Sequence, residues 1–410
     1  MSFFYNLGMS CYRQLIALAS CRNRKAKKLL EGQKAVFPFL EKNVLPEGGY
    51  VWFHAASLGE FEQGRPLMEA LKRENKDRKI LLTFFSPSGY EVRKNYAGAD
   101  VVCYLPLDLS ANVSRFLDLV RPEMAVFIKY EFWKNYLYEL RRREIPVYLI
   151  SAIFRPDQLF FKPYGGFYRK MLFCFTRLYV QDEVSAALLA SAGVTSVKVC
   201  GDTRFDRVVD IRREAKELPL IERFAAGASF VMVAGSSWPK DEDLIIPYFN
   251  RKPGLKMIIA PHEIHEEHLS AIESKLKRPF LRYSRAAGQR VEEIDCLIID
   301  SFGLLSSLYR YGQFAYVGGG FGAGIHNVTE AAVYGIPVLF GPNYGKFREA
   351  RNLIACGGGF SVKDASSFTS LCDRFTGHPA FLSEAGRKAG NYIGHNAGAS
   401  ACIYSDLFDS

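Results

Sequence analysis

Six short stretches of this 410-residue chain hold side chains whose types and spacing could do chemistry. "HAASLGEFEQG" (54–64) follows the apolar run "GGYVWF" and leads into "RPLMEALKREN", so Glu60 stands where a strand gives way to a helix. A carboxylate there either favours the helix dipole or is held in a cleft as a general base. Glu131 in "IKYEFWKN" follows the apolar run 123–128 in the same way, and a buried acid needs a partner or a task. Arg204 in "GDTRFD" stands where a cation could face a bound phosphate. "PHEIHEEH" (261–268) spaces His262, His265 and His268 by three, which is not the H-E-x-x-H zinc pattern. A solvated helix start beginning at Pro261 accounts for it, and only His262 lies directly after a strand. "VGGGFGAG" (317–324) lacks the third glycine and the downstream acid of a dinucleotide fingerprint. Its glycines more simply let a ligand phosphate or sugar approach the backbone. In "GIHNVTE" (324–330), Asn327 would begin a helix with Glu330 one turn in, the spacing of a capping box. The same pair could instead hydrogen-bond a nucleotide ribose. No Walker A sequence is present.

The elements that must position these residues alternate between short β-rich runs and helix-like stretches. The first half carries "YVWFHA" (50–55), "KILLTFF" (79–85), "DVVCYLP" (100–106), "EMAVFI" (123–128), "IPVYLIS" (145–151) and "RLYV" (177–180). A charged, helix-prone stretch (206–227) follows, and the pattern restarts with "FVMVAG" (230–235), "LKMIIA" (255–260), "IDCLIID" (294–300), "FAYVG" (314–318) and "IPVLFG" (336–341). Such alternation predicts parallel sheets covered by helices. The fold class expected is therefore α/β, with two doubly wound Rossmann-like domains facing a cleft. They span 31–205 and 206–410, after an N-terminal segment, 1–30. Ligands bind open sheets of this kind at the carboxyl ends of the strands. Glu60, Glu131 and Arg204 would line the first cleft edge, and His262, Asn327 and Glu330 the second.

Composition narrows the class. With 49% hydrophobic and 23% charged residues the chain is globular. Its nine cysteines are odd in number, scattered and free of C-x-x-C, which favours reduced thiols over a disulfide framework or zinc ribbon. The net charge is +10, and six basic residues (Arg13, Arg22, Arg24, Lys25, Lys27, Lys28) precede the first acid. Next to them lies the apolar, aromatic "MSFFYNLGMSCYRQLIALAS", too interrupted to span a bilayer. An interfacial helix on an anionic membrane surface fits this pattern; the alternative is an amphipathic first helix packed on the body of the protein.

Taken in order, "HAASLGEFEQGRPL", "TFFSPSGYE", "YLPLDL", "KYEFWKN", "LISA", "GDTRFD", "AGSSWPKDED" and "GGGFGAGIHNVTEAAVYGIPVLFGPNYGKFREA" resemble the landmarks of the Kdo (3-deoxy-D-manno-octulosonic acid) transferases, from about residue 35 to 395. The resemblance implies a GT-B glycosyltransferase of lipopolysaccharide and lipid A biosynthesis. The donor would be CMP-Kdo and the acceptor the tetraacylated lipid A precursor, lipid IVA. The place implied is the cytoplasmic face of the bacterial inner membrane, with peripheral or monotopic attachment. Glu60 would be the catalytic base, with Glu131 and Arg204 stabilising the transition state. The CMP pocket maps onto Pro261 and His262, onto Phe302, Gly303 and Leu304, and onto Asn327, Val328, Thr329 and Glu330. Neither a cofactor, a metal nor a nucleic-acid partner is called for. The chain departs from the family where Pro261-His262-Glu263 replaces Pro-Arg-His-Pro, and where "SFGLL" replaces Met-Gly-Glu. Two other readings stand beside it: a sugar-nucleotide epimerase of the same architecture, and a catalytically silent lipid- or nucleotide-binding relative.

Overall fold

The computed structural model describes residues 2–409, with side chains from residue 4 onward. The chain forms two compact units: 1–207 together with 397–410, and 208–396. In the first unit seven parallel strands form one sheet: β1 (Tyr50–Ala55), β2 (Lys79–Phe84), β3 (Val101–Tyr104), β4 (Pro122–Ile128), β5 (Val147–Ala152), β6 (Arg177–Val180) and β7 (Val197–Val199). Their order is β3-β2-β1-β4-β5-β6-β7. The strand order reverses between β1 and β4, so the carboxyl ends of these two strands flank a topological switch point. β1 is buried along its whole length because helices cover both sheet faces, which is why it reads as an unbroken apolar run. Trp52 packs into one core layer with Phe116 and Phe127, and Phe53 into the other with Phe61 and Phe84.

The second unit repeats the plan with β8 (Phe230–Ser237), β9 (Leu255–Pro261), β10 (Phe280–Arg282), β11 (Cys296–Ile298), β12 (Phe314–Val317), β13 (Val338–Phe340) and β14 (Gly359–Ser361). The order is β10-β11-β9-β8-β12-β13-β14, with the switch point between β8 and β12.

The domain limits expected from sequence need one correction at the C-terminus. The helix Ala399–Phe408 belongs to the first unit, not to the second. Ile403 and Leu407 enter the core layer of Phe61 and Leu67, and Asp406 receives hydrogen bonds from Arg177, Tyr179 and Lys198 at 2.6–2.9 Å. Cys402 of this helix forms a disulfide with Cys200, 202 residues away, so the expectation of reduced thiols fails for this pair, and the other seven cysteines are free. The division at 207 falls inside the helix Thr203–Arg213.

The first helix, Ser2–Ala19, is anchored on the body by Ile16, which is buried, and by Tyr5, whose hydroxyl donates to Asp108 at 2.6 Å. Its outer side exposes Phe4, Leu7, Leu15 and Leu18. Among the described residues no helix is long and apolar enough to cross a membrane.

Candidate active site

In the first unit, Ser57 caps the helix Leu58–Glu74 that follows β1. The Ser57 hydroxyl accepts the Glu60 N–H, and the Glu60 carboxylate accepts the Ser57 N–H at 3.1 Å, a closed capping box. The helix-start reading of Glu60 is thus realised, and the cap also fixes where its carboxylate lies. Burial, and after it the negative charge of Glu131, push the Glu60 pKa up, against backbone donors at Ala56 and Ser57 and the nearby His54. A carboxylate raised in this way is a stronger base once ionised.

Glu131 follows β4. Lys129 takes a left-handed φ of +70° directly after the strand and turns the chain toward Glu131. Such a conformation in a residue other than glycine persists only where its surroundings enforce it. Glu131 is 8% exposed, and its Oε2 lies 2.9 Å from His54 Nε2 and 2.6 Å from Trp133 Nε1. His54 is completely buried on β1, its Nδ1 sits 2.9 Å from Thr83 Oγ1, and that hydroxyl accepts the Trp52 indole N–H at 2.8 Å. With the ring hydrogen on Nε2, one chain of donors runs from Trp52 through Thr83 and His54 to the carboxylate. The switch point between β1 and β4 is therefore spanned by a buried hydrogen-bond ladder that ends on Glu131.

Arg204 lies in the first turn of the helix Thr203–Arg213, and its Nε and Nη2 donate to Asp202 Oδ2 at 2.9 and 2.6 Å. Tyr130 connects the group electrostatically. Burial raises its pKa most, Arg155 and Arg204 lower it, and Glu60 raises it again. Its hydroxyl is buried and makes no hydrogen bond among the described residues. The charges of Glu60 and Arg204 thus both reach Tyr130, which directly precedes Glu131 in the chain.

In the second unit, Pro261 ends β9 and His262 follows it. Both line a cavity of about 190 Å³ together with Ser236, Ile299, Phe302 and Gly303. Gly303 has φ +83°, which suits glycine, and Phe302 is 77% exposed at the rim. Leu304 belongs to the same turn but does not line the cavity. Asn327 does not start the helix as expected. It lies two residues ahead of Thr329–Ala332, where its Oδ1 accepts both the N–H and the hydroxyl of Thr329. Its amide donates to Glu330 at 3.0 Å, a side-chain pair in place of a capping box. Val328 and Thr329 are buried beneath it. Glu330 is felt by Tyr309, whose hydroxyl lies against Gly235 on β8 near Leu305.

The three histidines of "PHEIHEEH" have three different surroundings. His265 caps the helix Glu266–Lys275, and His268 is buried 2.9 Å from Glu242. His262 stacks on both Trp238 and His326, with ring centroids 4.7 and 4.4 Å away. The glycine run serves close packing: a Cβ on Gly318 would lie 2.2 Å from the Ser236 carbonyl oxygen. His54, Tyr130, Trp133, Trp238 and His326 carried no role in the sequence reading. A histidine inside the apolar run "YVWFHA" was the available signal for the first, since a buried imidazole needs partners.

Two doubly wound units, each with polar side chains gathered at the strand ends beside its switch point, define the GT-B class of fold. Solved structures share it. UDP-GlcNAc 2-epimerase from Neisseria meningitidis is 17% identical with a TM-score of 0.64 over 88% of this chain and all of that one. MurG of Acinetobacter baumannii is 11% identical with a TM-score of 0.57 over the same shares. At those identities the likeness concerns the fold alone. Residues 22–207 match the family model of 3-deoxy-D-manno-octulosonic-acid transferase (kdotransferase). The 3-deoxy-D-manno-octulosonic acid transferase of Aquifex aeolicus is 29% identical over 330 residues, 78% of this chain and 84% of the relative. That of Bordetella pertussis is 26% identical over 384 residues, 89% and 88%. Over most of its length the chain is thus similar to the Kdo transferases, a family of glycosyltransferases.

Proposed function

We propose that this chain is a Kdo transferase, which takes its sugar from CMP-Kdo and attaches it to a hydroxyl of lipid IVA. The observation that carries the proposal is the Glu60 carboxylate, fixed by its own capping box beside Glu131 with its pKa raised. A sugar hydroxyl is far too weak an acid to ionise at neutral pH, so a positioned carboxylate helps as the proton leaves in the transition state. In the proposed step the acceptor oxygen bonds to the anomeric carbon and its proton passes to Glu60. The bond from that carbon to the phosphate oxygen breaks, and CMP leaves with the electron pair. Arg204 offsets the charge that grows on the phosphate, and Glu131, held by His54 and Trp133, stabilises the transition state beside the base. Pro261, His262, the turn 302–304 and the segment 327–330 hold CMP. The exposed apolar side of the helix Ser2–Ala19 and the basic residues after it rest on the anionic cytoplasmic face of the bacterial inner membrane.

Purified protein incubated with CMP-Kdo and lipid IVA should release CMP and yield a heavier lipid by mass spectrometry. Glu60→Gln should lower transfer by about 10²–10⁴-fold while leaving donor affinity nearly unchanged. Release of CMP without a heavier lipid refutes the transfer reading and favours a hydrolase or an epimerase. Because Glu60 is ionised only above its raised pKa, transfer should fall as pH drops through that value, and turnover of Glu60→Gln should lose this acid limb.

A further inference from the structure

The second unit holds another cavity, larger than the one that contains His262. It encloses about 530 Å³ at the carboxyl ends of β8 and β12, and its lining includes Trp238, Lys240, Gly319, Phe321, Ala323 and His326. None of these residues is among those proposed to hold CMP. The place is the β8–β12 switch point, where open α/β sheets bind ligands, and the volume lies in the ordinary range of small-molecule sites.

The two cavities share a wall. His262 lines the smaller one, Trp238 and His326 line the larger, and the His262 ring stacks on both of the others. Whatever is covalently joined to a ligand in the smaller cavity therefore has the larger one for a neighbour. The wall also fixes hydrogen positions. Trp238 Nε1 donates to His326 Nε2 at 3.1 Å, so the neutral ring carries its hydrogen on Nδ1. Burial and the neighbouring His262 lower the His326 pKa, which favours that neutral form.

Charge in the lining comes from Lys240 and Asp241. Asp241 is fully buried and already satisfied: Tyr316 donates to one oxygen at 2.7 Å, and the N–H groups of Gly319 and Trp238 donate to the other. Lys240 has no ion-pair partner among the described residues. It sits in the first turn of the helix Pro239–Arg251, where the dipole adds positive potential. The cavity thus offers an aromatic wall, a floor without side chains at its glycines, and one uncommitted ammonium.

We infer that this cavity is the subsite for the sugar part of the donor and that Lys240 reads its carboxylate. A sugar ring presents C–H groups to the Trp238 and Phe321 faces, and an acid function gives Lys240 its counter-charge. The assignment rests on the proposed donor, and it makes Lys240 a specificity residue for acidic sugars.

The test is titration calorimetry on the full-length protein with CMP and with CMP-Kdo, for wild type, Lys240→Gln, Lys240→Arg and Ala323→Trp. Lys240→Gln should weaken CMP-Kdo by about tenfold or more, the weight of a charge-assisted hydrogen bond, with CMP affinity within about twofold of wild type. Lys240→Arg should recover most of the loss. Ala323→Trp, which fills the cavity from an exposed position, should weaken CMP-Kdo and spare CMP. Wild-type affinity for CMP-Kdo in both Lys240→Gln and Ala323→Trp overturns the subsite and leaves the donor reading standing. A wild-type protein that binds neither ligand overturns the donor reading and the subsite together.

Discussion

The His54–Glu131 contact is the part of the site whose energetic weight the structure sets most directly, and a double-mutant cycle measures it. His54→Phe keeps a ring of similar size against Phe127 but removes both ring nitrogens. Among the described residues Glu131 Oε2 then keeps the Trp133 indole, and Thr83 keeps Trp52 and the Phe53 carbonyl. Leaving a buried polar group short of a partner costs about 1–3 kcal/mol. Glu131 is 8% exposed, so water can reach it in part, and the lower half of that range applies. Glu131→Gln preserves shape and removes the charge. In the double variant the contact is already gone, so the second change should cost about 1 kcal/mol less than it does alone. Total stabilities of about 5–15 kcal/mol leave all four proteins folded. Urea unfolding followed by tryptophan fluorescence suits the case, because Trp52 and Trp133 both belong to the ladder. Additivity within about 0.5 kcal/mol would falsify the claim that His54 holds Glu131. Transfer provides a second reading: His54→Phe and Glu131→Gln should both lower kcat more than KM, whereas a merely structural histidine would leave that split unmoved.

Asn327→Ala and Glu330→Ala should each weaken CMP in a titration without changing capture of the lipid; unchanged CMP affinity in both would reduce the pair to local structure around Thr329. Removing residues 1–30 should lower co-sedimentation with anionic vesicles and slow transfer to vesicle-embedded acceptor. Detergent-dispersed acceptor should be much less affected, and full pelleting of the truncated protein would place the anchor elsewhere. Its six basic residues at roughly 1 kcal/mol each set the upper scale before salt screening. Ile403→Ala should cost about 2–5 kcal/mol in chemical denaturation, since that side chain is fully buried in the first unit's core; a loss below about 0.5 kcal/mol would mean the C-terminal helix is not docked there in solution.

The sequence by itself determined what local patterns can encode. Strands buried on both faces read as apolar runs, and β1, β2, β4, β6 and β9 lie where those runs stand. The turn after β1 was legible because a small residue, a capping serine and Glu60 fall within four positions. Three strands were not legible: β7, β10 and β14, each three residues long and each on a sheet edge. An edge strand is covered incompletely, so "VKV", "FLR" and "GFS" carry no apolar run to betray them. Only the tertiary structure decided which distant residues meet. His54 and Glu131 are 77 positions apart, and nothing in either segment names the other. The return of the helix Ala399–Phe408 to the first unit depends on surfaces made by the helix Leu58–Glu74 and by β6 and β7. Likewise Trp238, His262 and His326 stand in three separate loops, and parallel pairing of β9 to β8 and of β8 to β12 is what stacks them into one wall. Strand order is a property of long-range pairing, and a sequence records it only as the separate pieces that will pair.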